Sequence, residues 1–351
     1  MARKGTLTKA INLPDGTRKW VYAKTKEELQ QKLLDYQVQI NIGIDLTNHD
    51  TFGEYALRWY RIYKEPNVSD NSKTSILNVL NTHLLPYLSG YRIKDITPMH
   101  IQQIFNRIAK KSQSLNEKVR TYLNEILDTA VANRLIALSP LTKNINIKGK
   151  AAKEKEALTE EEVQAILQRL KDEPSIGAQA AYLFCLIGFK TGLRRGELCG
   201  LMWSDFDFDA GEITVQRSCV WPGNAQPKLS EDMKTAAAHR VVPIPHSAMP
   251  ALRQAASNAD SLYVFHGEDG RPLSYSALRN IWNHTKKSGI EFTPHQMRHT
   301  YCTRLVEKGL EIKEVQYLMG HSKPEMTLRI YTHYTKRSRY NDTAARVRAA
   351  L

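Results

Sequence analysis

The sequence predicts a multidomain protein: a small N-terminal β-ribbon plus helix, an all-α helical region, and a mixed, mainly-α region with a small antiparallel sheet. Three observations lead there. Alternating polar and apolar residues flank a turn signal near the N-terminus. Helix-start signals then recur through residues 51–141. Beyond a lysine-rich stretch without apolar period, helical and β-like segments mix down to about residue 340. At roughly 100–200 residues per domain, 351 residues suit two or three domains.

Residues 7–24 alternate around Pro14-Asp15-Gly16, a turn between two short strands. Thr25 with Glu28 forms a capping box for a helix reaching about Gln39. The strands display Arg18, Lys19, Trp20, Tyr22 and Lys24. Basic and aromatic residues on such a ribbon suit a DNA major groove, and a solvated hairpin fits them equally well. Thr51 with Glu54 opens the next helix, carrying Phe52, Tyr55, Trp59 and Tyr63 as an apolar stripe. A helix over residues 73–85 is expected to stop at Pro86, Thr97-Pro98 opens another, and residues 114–135 form a fourth.

Residues 142–156 carry Lys143, Lys148, Lys150, Lys153 and Lys155 and read as a flexible basic joint. Lys148 and Lys150 there are candidates for crossing a DNA backbone. Thr159 with Glu162 then caps a helix, and residues 176–189 form a buried apolar one. Asp209-Ala210-Gly211 marks a hairpin, residues 240–244 a strand, and residues 274–288, 293–308 and 312–319 three helices. Residues 341–351 lie in an amphipathic tail helix that needs a partner.

Composition narrows the function. Hydrophobic residues make up 42% of the chain, ample for buried cores, so the chain is not disordered. A formal net charge of +14 favours a polyanionic partner, although a merely soluble basic protein would carry it too. The cysteines Cys185, Cys199, Cys219 and Cys302 form no CxxC pair, which argues against a zinc site or disulfide framework and for reduced thiols. The longest apolar run, residues 181–189, is far short of the roughly 20 residues a membrane span needs. Residues 1–10 lack a signal-peptide pattern, so no membrane association is expected and a cytoplasmic location is.

Five segments carry chemistry. Arg194 follows Thr191-Gly192-Leu193 at a helix start, where anions are already favoured, and Glu197 at i+3 shares its face. His295 and Arg298, also i, i+3, put an imidazole and a guanidinium on one helical face; His299 lies off it. Two arginines from separate helices can clamp one phosphate. Lys234 sits in a polar turn before a strand, and His321 follows the helix stop at Met319-Gly320. Tyr331 lies beyond, with Tyr334 and Tyr340 as neighbours. Taken singly, each has an ordinary reading as a surface ion pair, solvated lysine or packing residue.

Together TGLRRGEL (residues 191–198), the Lys234 turn before HRVVPIP, HQMRHT (295–300), MGHS (319–322) and the Thr327, Tyr331, His333 pattern T-x-x-x-Y-x-H resemble the tyrosine recombinase (phage integrase) family. Among its members they look most like integrases of temperate phages and conjugative transposons of Gram-positive bacteria. The resemblance implies that Arg194 and Arg298 bind the scissile phosphate, Lys234 protonates the leaving 5′-oxygen, His295 assists as acid/base and His321 hydrogen-bonds the phosphate. Tyr331 would be the nucleophile, giving a 3′-phosphotyrosyl link, with no metal, ATP or other cofactor. Tyr331 is preferred over Tyr334 by its spacing from Thr327 and its place before His333.

The same resemblance implies an arm-type DNA-binding domain at 1–45, a core-site-binding domain at 51–141, a linker at 142–156, a catalytic domain at 157–340 and a docking tail at 341–351. It implies double-stranded DNA attachment sites as partners, a homotetramer on DNA, room for an excisionase and a host DNA-bending protein, and a nucleoid-associated place in a bacterial cell. The product would be integration and excision of a prophage or mobile element. Two other readings stay open at this level: a relaxing topoisomerase of the same chemistry, and a DNA-binding regulator without catalysis.

Overall fold

The chain divides into two units, Met1–Lys153 and Glu154–Leu351, in a computed structural model that describes residues 7–13, 16–151, 156–222, 226–230, 239–287, 289–325 and 327–328. In the first unit, strands β1 (Leu7–Asn12) and β2 (Arg18–Ala23) pair antiparallel from Leu7↔Ala23 to Asn12↔Arg18. Gly16, at φ +82°, takes the left-handed conformation their turn requires. Helix α1 (Lys26–Asn41) follows, with Thr25 Oγ1 accepting from Glu28 N. The reciprocal arm of this cap falls one residue earlier than expected, since Glu28 Oε2 accepts from Lys24 N. Alternation along β2 buries Val21 and Ala23 and leaves Trp20 56% and Tyr22 51% exposed.

Helix α2 (Phe52–Trp59) starts at the Thr51–Glu54 capping box, both arms of which are present. Phe52, Tyr55 and Trp59 are buried as the stripe predicts, but Tyr63 is 45% exposed. The cause is a π-helical turn, Tyr60–Lys64, whose closing bond runs from Glu65 N to Tyr60 O. Five-residue spacing shifts the winding out of the 3.6 period, and Tyr60 takes the buried place instead. The expected stop at Pro86 is overturned for the same reason. Helix α3 (Asp70–Val79) runs into a second π-turn, Leu80–Leu84, and on into α4 (Leu85–Leu88) with Pro86 inside it. Leu85 N bonds Leu80 O, and the widened turn makes room for the ring of a proline that has no N–H to give.

Helix α5 (Pro98–Ile108) opens at Thr97, and α6 (Gln113–Ala132) is capped by Ser112, two residues before the expected start. Phe52, Trp59, Leu80, Ile101, Phe105 and Leu123 close the core of these helices. The described part of the joint is not loose. Asn146 and Gln102 exchange two hydrogen bonds, Lys148 O accepts from Asn116 Nδ2, and Lys150 is bonded through its backbone to Lys111 and Gln113. The backbone of this stretch, aperiodic in sequence, is held by side chains and backbone groups of the neighbouring helices. Lys153 and Lys155 lie outside the described residues.

The second unit begins with α7 (Glu160–Asp172), capped by the Thr159–Glu162 box, and the apolar α8 (Ile176–Thr191), which packs against α7 and later helices. The short α9 (Arg195–Cys199) leads to β3 (Phe206–Asp207) and β4 (Glu212–Val215), joined at Gly211. Strands β5 (Ser218–Val220) and β6 (Lys228–Ser230) make a separate antiparallel pair. Strand β7 (Arg240–Pro243) adds to β4, giving the antiparallel order β3-β4-β7. Helices α10 (Met249–Ser257), α11 (Tyr275–Lys286), α12 (Pro294–Glu307) and α13 (Ile312–Met319) follow. The fold is the multidomain, helical one expected, with small antiparallel sheets. Residues 341–351, read as a docking helix, lie outside the described residues. Among the described residues, no helix is long and apolar enough to cross a membrane.

Candidate active site

The site is assembled from the ends of elements. Helix α8 stops at Gly192, φ +64°, where a Cβ would lie 2.3 Å from the Tyr301 ring. Only glycine allows both that conformation and that approach, so the chain reverses beside α12. Two residues later Arg194 occupies the N-cap of α9. Glu197 then holds it twice: Arg194 N donates to Oε2 at 2.8 Å and Nη1 to Oε1 at 2.7 Å. Nη2 donates to Gly320 O at 2.6 Å. The i, i+3 relation of Arg194 and Glu197 thus becomes a defined pair.

Glu197 is shared with a second arginine that sequence reasoning missed. Arg240, first residue of β7, donates from Nη2 to Oε2 at 2.9 Å, from Nη1 to Oε1 at 3.2 Å and from Nε to Leu318 O at 2.7 Å. Its side chain is fully buried, as is that of Glu197 within 2%. A signal was present. Arg240, Val242 and Ile244 alternate onto one face of the strand, and that face is buried. An arginine at a buried-face position demands an acidic partner.

Arg298 comes from the second turn of α12, buried, with Nη1 donating to Gly192 O at 2.8 Å and Nη2 to Met319 O. One turn earlier, His295 is exposed at the pocket rim. Helix α13 ends at Gly320, φ +57°, which turns the chain so that His321 enters the pocket. His321 Nδ1 lies 2.9 Å from Thr327 Oγ1. Three successive carbonyls at this helix end, Leu318, Met319 and Gly320, each accept from a different guanidinium: Arg240, Arg298 and Arg194. A helix C-terminus carries orphan carbonyls and partial negative charge, which the arginines satisfy while being held in place.

Electrostatics mark the pocket as an anion site. Among the described residues, Glu197 is the carboxylate facing the guanidiniums of Arg194, Arg240 and Arg298, so positive charge is in surplus. Burial, then the Arg194 charge, pulls Arg298 below the usual arginine range. Partial desolvation of its ring by the pocket wall, then Arg298 and Arg194, lowers His295, although the residue as a whole is exposed, and burial with the same cations drives His321 down to about 4. Both imidazoles are therefore neutral at pH 7 in the absence of an anion. Burial pushes the Glu197 carboxyl up, but the hydrogen bond and charge of Arg240 and the charge of Arg194 outweigh it and hold Glu197 at about 2. The open pocket, about 400 Å³, is lined by Arg194, Arg195, His295, Arg298 and His321 among others, room for a phosphodiester group. No cluster of His, Cys, Asp and Glu among the described residues is arranged to hold a metal ion.

Of the residues singled out in the sequence, the fold thus gathers Arg194, Glu197, His295, Arg298 and His321. Lys234 and Tyr331, with Tyr334 and Tyr340, lie outside the described residues. The N-terminal set divides. Arg18, Trp20 and Tyr22 share the open face of the ribbon, and Lys24 is exposed just beyond it. Lys19 points the other way, 4.8 Å from the Tyr36 ring centroid, because it alternates with its neighbours onto the face toward α1. Lys148 and Lys150 are exposed.

The sequence matches the phage integrase family over residues 156–338 and the N-terminal SAM-like domain of phage integrases over residues 51–109. A "Tyrosine recombinase XerC-like" protein of Caldanaerobacter subterraneus subsp. tengcongensis is 31% identical, over 92% of this chain and 90% of its own. The transposase of transposon Tn916 from Enterococcus faecalis is 24% identical, over 88% and 80%. The Tn1549 transposon integrase bound to a circular intermediate DNA superposes with a TM-score of 0.71 at 22% identity, over 86% of this chain and all of that one. A λ integrase dimer bound to a core site gives 0.61 at 19%, over 94% and 95%. These structural likenesses concern the fold.

Proposed function

Because the chain belongs to the phage integrase family of tyrosine recombinases, we propose that it cuts and rejoins DNA at attachment sites, integrating and excising a prophage or mobile element. Arg194 and Arg298 bind the scissile phosphate, and Tyr331 attacks phosphorus through its phenol oxygen. The bond from phosphorus to the 5′-oxygen breaks, Lys234 gives that oxygen a proton, and a 3′-phosphotyrosyl ester remains. A 5′-hydroxyl of another strand then reverses the step. The ester keeps the energy of the phosphodiester, so no ATP is required. The arginines stabilise the charge of the pentavalent transition state, the task divalent ions perform elsewhere.

One observation carries this reading: two guanidiniums, held on separate helices by carbonyls and Glu197, converge with His295 and His321 on one pocket with surplus positive charge. His295, neutral at pH 7, is able to take up a proton from the tyrosine, and His321 to donate a hydrogen bond to a phosphate oxygen. Residues 157–340 would form the catalytic domain, 51–141 the core-site-binding domain, and 1–45 the arm-type domain, using the open face with Arg18, Trp20 and Tyr22. Lys148 and Lys150 would meet the DNA backbone. A λ integrase structure is a tetramer on a Holliday junction; a tetramer here would use residues 341–351 to dock on a neighbour. An excisionase and a host DNA-bending protein fit the two-site scheme, in the nucleoid of a bacterial host.

Covalent trapping tests the reading. On a nicked suicide substrate carrying the attachment site, the wild type should form an SDS-resistant protein–DNA adduct without metal or ATP. Tyr331→Phe should bind the DNA and form none; an adduct of normal yield would move the nucleophile to another residue, Tyr334 first.

A further inference from the structure

Arg194 is the more exposed of the two arginines assigned to the phosphate, with 40% of its side chain open to solvent while Arg298 is buried. An exposed guanidinium samples many rotamers, and an ion pair to a carboxylate that was itself mobile would not restrict it. Glu197 is not mobile. Its two oxygens are bridged from behind by Arg240, whose side chain is fully buried. Arg240 is in turn fixed by the sheet, where it pairs with Val215 of β4. Its third nitrogen, Nε, grips Leu318 O, two residues before the Gly320 carbonyl that Arg194 itself uses. One side chain thus ties the sheet to both elements that meet at the pocket, α9 with Arg194 and the end of α13 with His321.

We infer that Arg240 is a positioning residue for strand cleavage: through Glu197 it sets Arg194, and through the Leu318 carbonyl it sets the turn that presents His321. It lies behind the pocket and does not touch the DNA. The inference rests on the recombinase reading above. A guanidinium is required, since its planar fork reaches both oxygens of one carboxylate and keeps Nε for a carbonyl. A lysine supplies the charge but cannot make all three contacts.

The experiment compares wild type, Arg240→Met and Arg240→Lys for cleavage of the suicide substrate in single turnover, for affinity to the same DNA, and for thermal melting. The expected result is a loss of cleavage of about 10- to 100-fold in both variants, the scale of a misplaced catalytic group. DNA affinity should stay within about twofold, because most of it comes from backbone contacts spread over the whole interface. A purely structural role would lower melting without a further signature, so the pH profile decides. The groups facing Glu197 are Arg194 on α9, Arg240 on β7 and Arg298 on α12. Without Arg240 the carboxyl titrates higher, and Arg240→Met should lose activity as pH falls through a range where wild type does not. Adding Glu197→Gln should remove that extra acid limb. Identical pH profiles for Arg240→Met and wild type overturn the inference. If Arg240→Met is too unstable to assay, full cleavage by Arg240→Lys overturns it. An inactive wild type would instead refute the recombinase reading.

Discussion

Removing the charge of Glu197 gives a magnitude that the structure fixes. In Glu197→Gln the shape is kept, but two guanidiniums lose their carboxylate, and one of them is fully buried. The carboxyl falls from an ordinary 4.5 to about 2 in the folded chain; at about 1.36 kcal/mol per pH unit, that is about 3 kcal/mol of stability. Because the folded value is depressed, this stability is fully present above pH 4.5 and is lost as pH falls toward 2. Leaving a buried cation without its anion works in the same direction. Urea denaturation of wild type and Glu197→Gln, at pH 7 and again near pH 3, measures it. The gap should be about 3 kcal/mol at neutral pH and should shrink markedly near pH 3. A gap below about 1 kcal/mol at pH 7, the worth of a surface pair, would refute the reasoning, and so would a gap that does not change with pH.

Two further outcomes are expected. By NMR, the His321 ring in the free protein should titrate near 4, because burial and the surrounding cations oppose its charge. DNA should raise that midpoint by neutralising those cations, and a free-protein midpoint near 6.5 would show that the imidazole is not enclosed. Arg18→Ala, on the open face of the ribbon, should reduce the salt slope of arm-type DNA binding by about one and leave core-site cleavage unchanged. An unchanged slope would return the ribbon to its reading as a solvated hairpin.

How much the sequence discloses depends on the range of the interaction involved. Caps are local, so Thr51, Thr97 and Thr159 announce the helix starts that follow them, and the structure has them there. Pro86 is equally local, yet its stop signal fails, because a π-turn upstream can accommodate the ring and no residue type advertises such a turn. The Thr142–Lys150 stretch reads as flexible because its long-range bonds go to Gln102, Lys111, Gln113 and Asn116, each more than thirty positions from its partner. Local pattern has no access to those partners.

The site shows the same division with a sharper consequence. Arg194, His295, Arg298 and His321 are legible because each stands in a short motif with a recognisable neighbour, glycine or helix start. Arg240 stands within the HRVVPIP segment, but nothing beside it discloses its role, since its partners Glu197 and Leu318 are 43 and 78 positions distant. Yet the geometry makes the legible residues depend on it. Arg194 is held by Glu197, Glu197 by Arg240, and the turn bearing His321 by all three arginines through consecutive carbonyls. A phosphate entering the pocket therefore meets cations whose positions are already set by neutral and anionic groups behind them. That arrangement keeps three cations close together around one carboxylate, and the depressed His321 value reflects its burial first and the field of those cations second. The field is what a phosphodiester approaching its transition state, with its growing negative charge, would relieve.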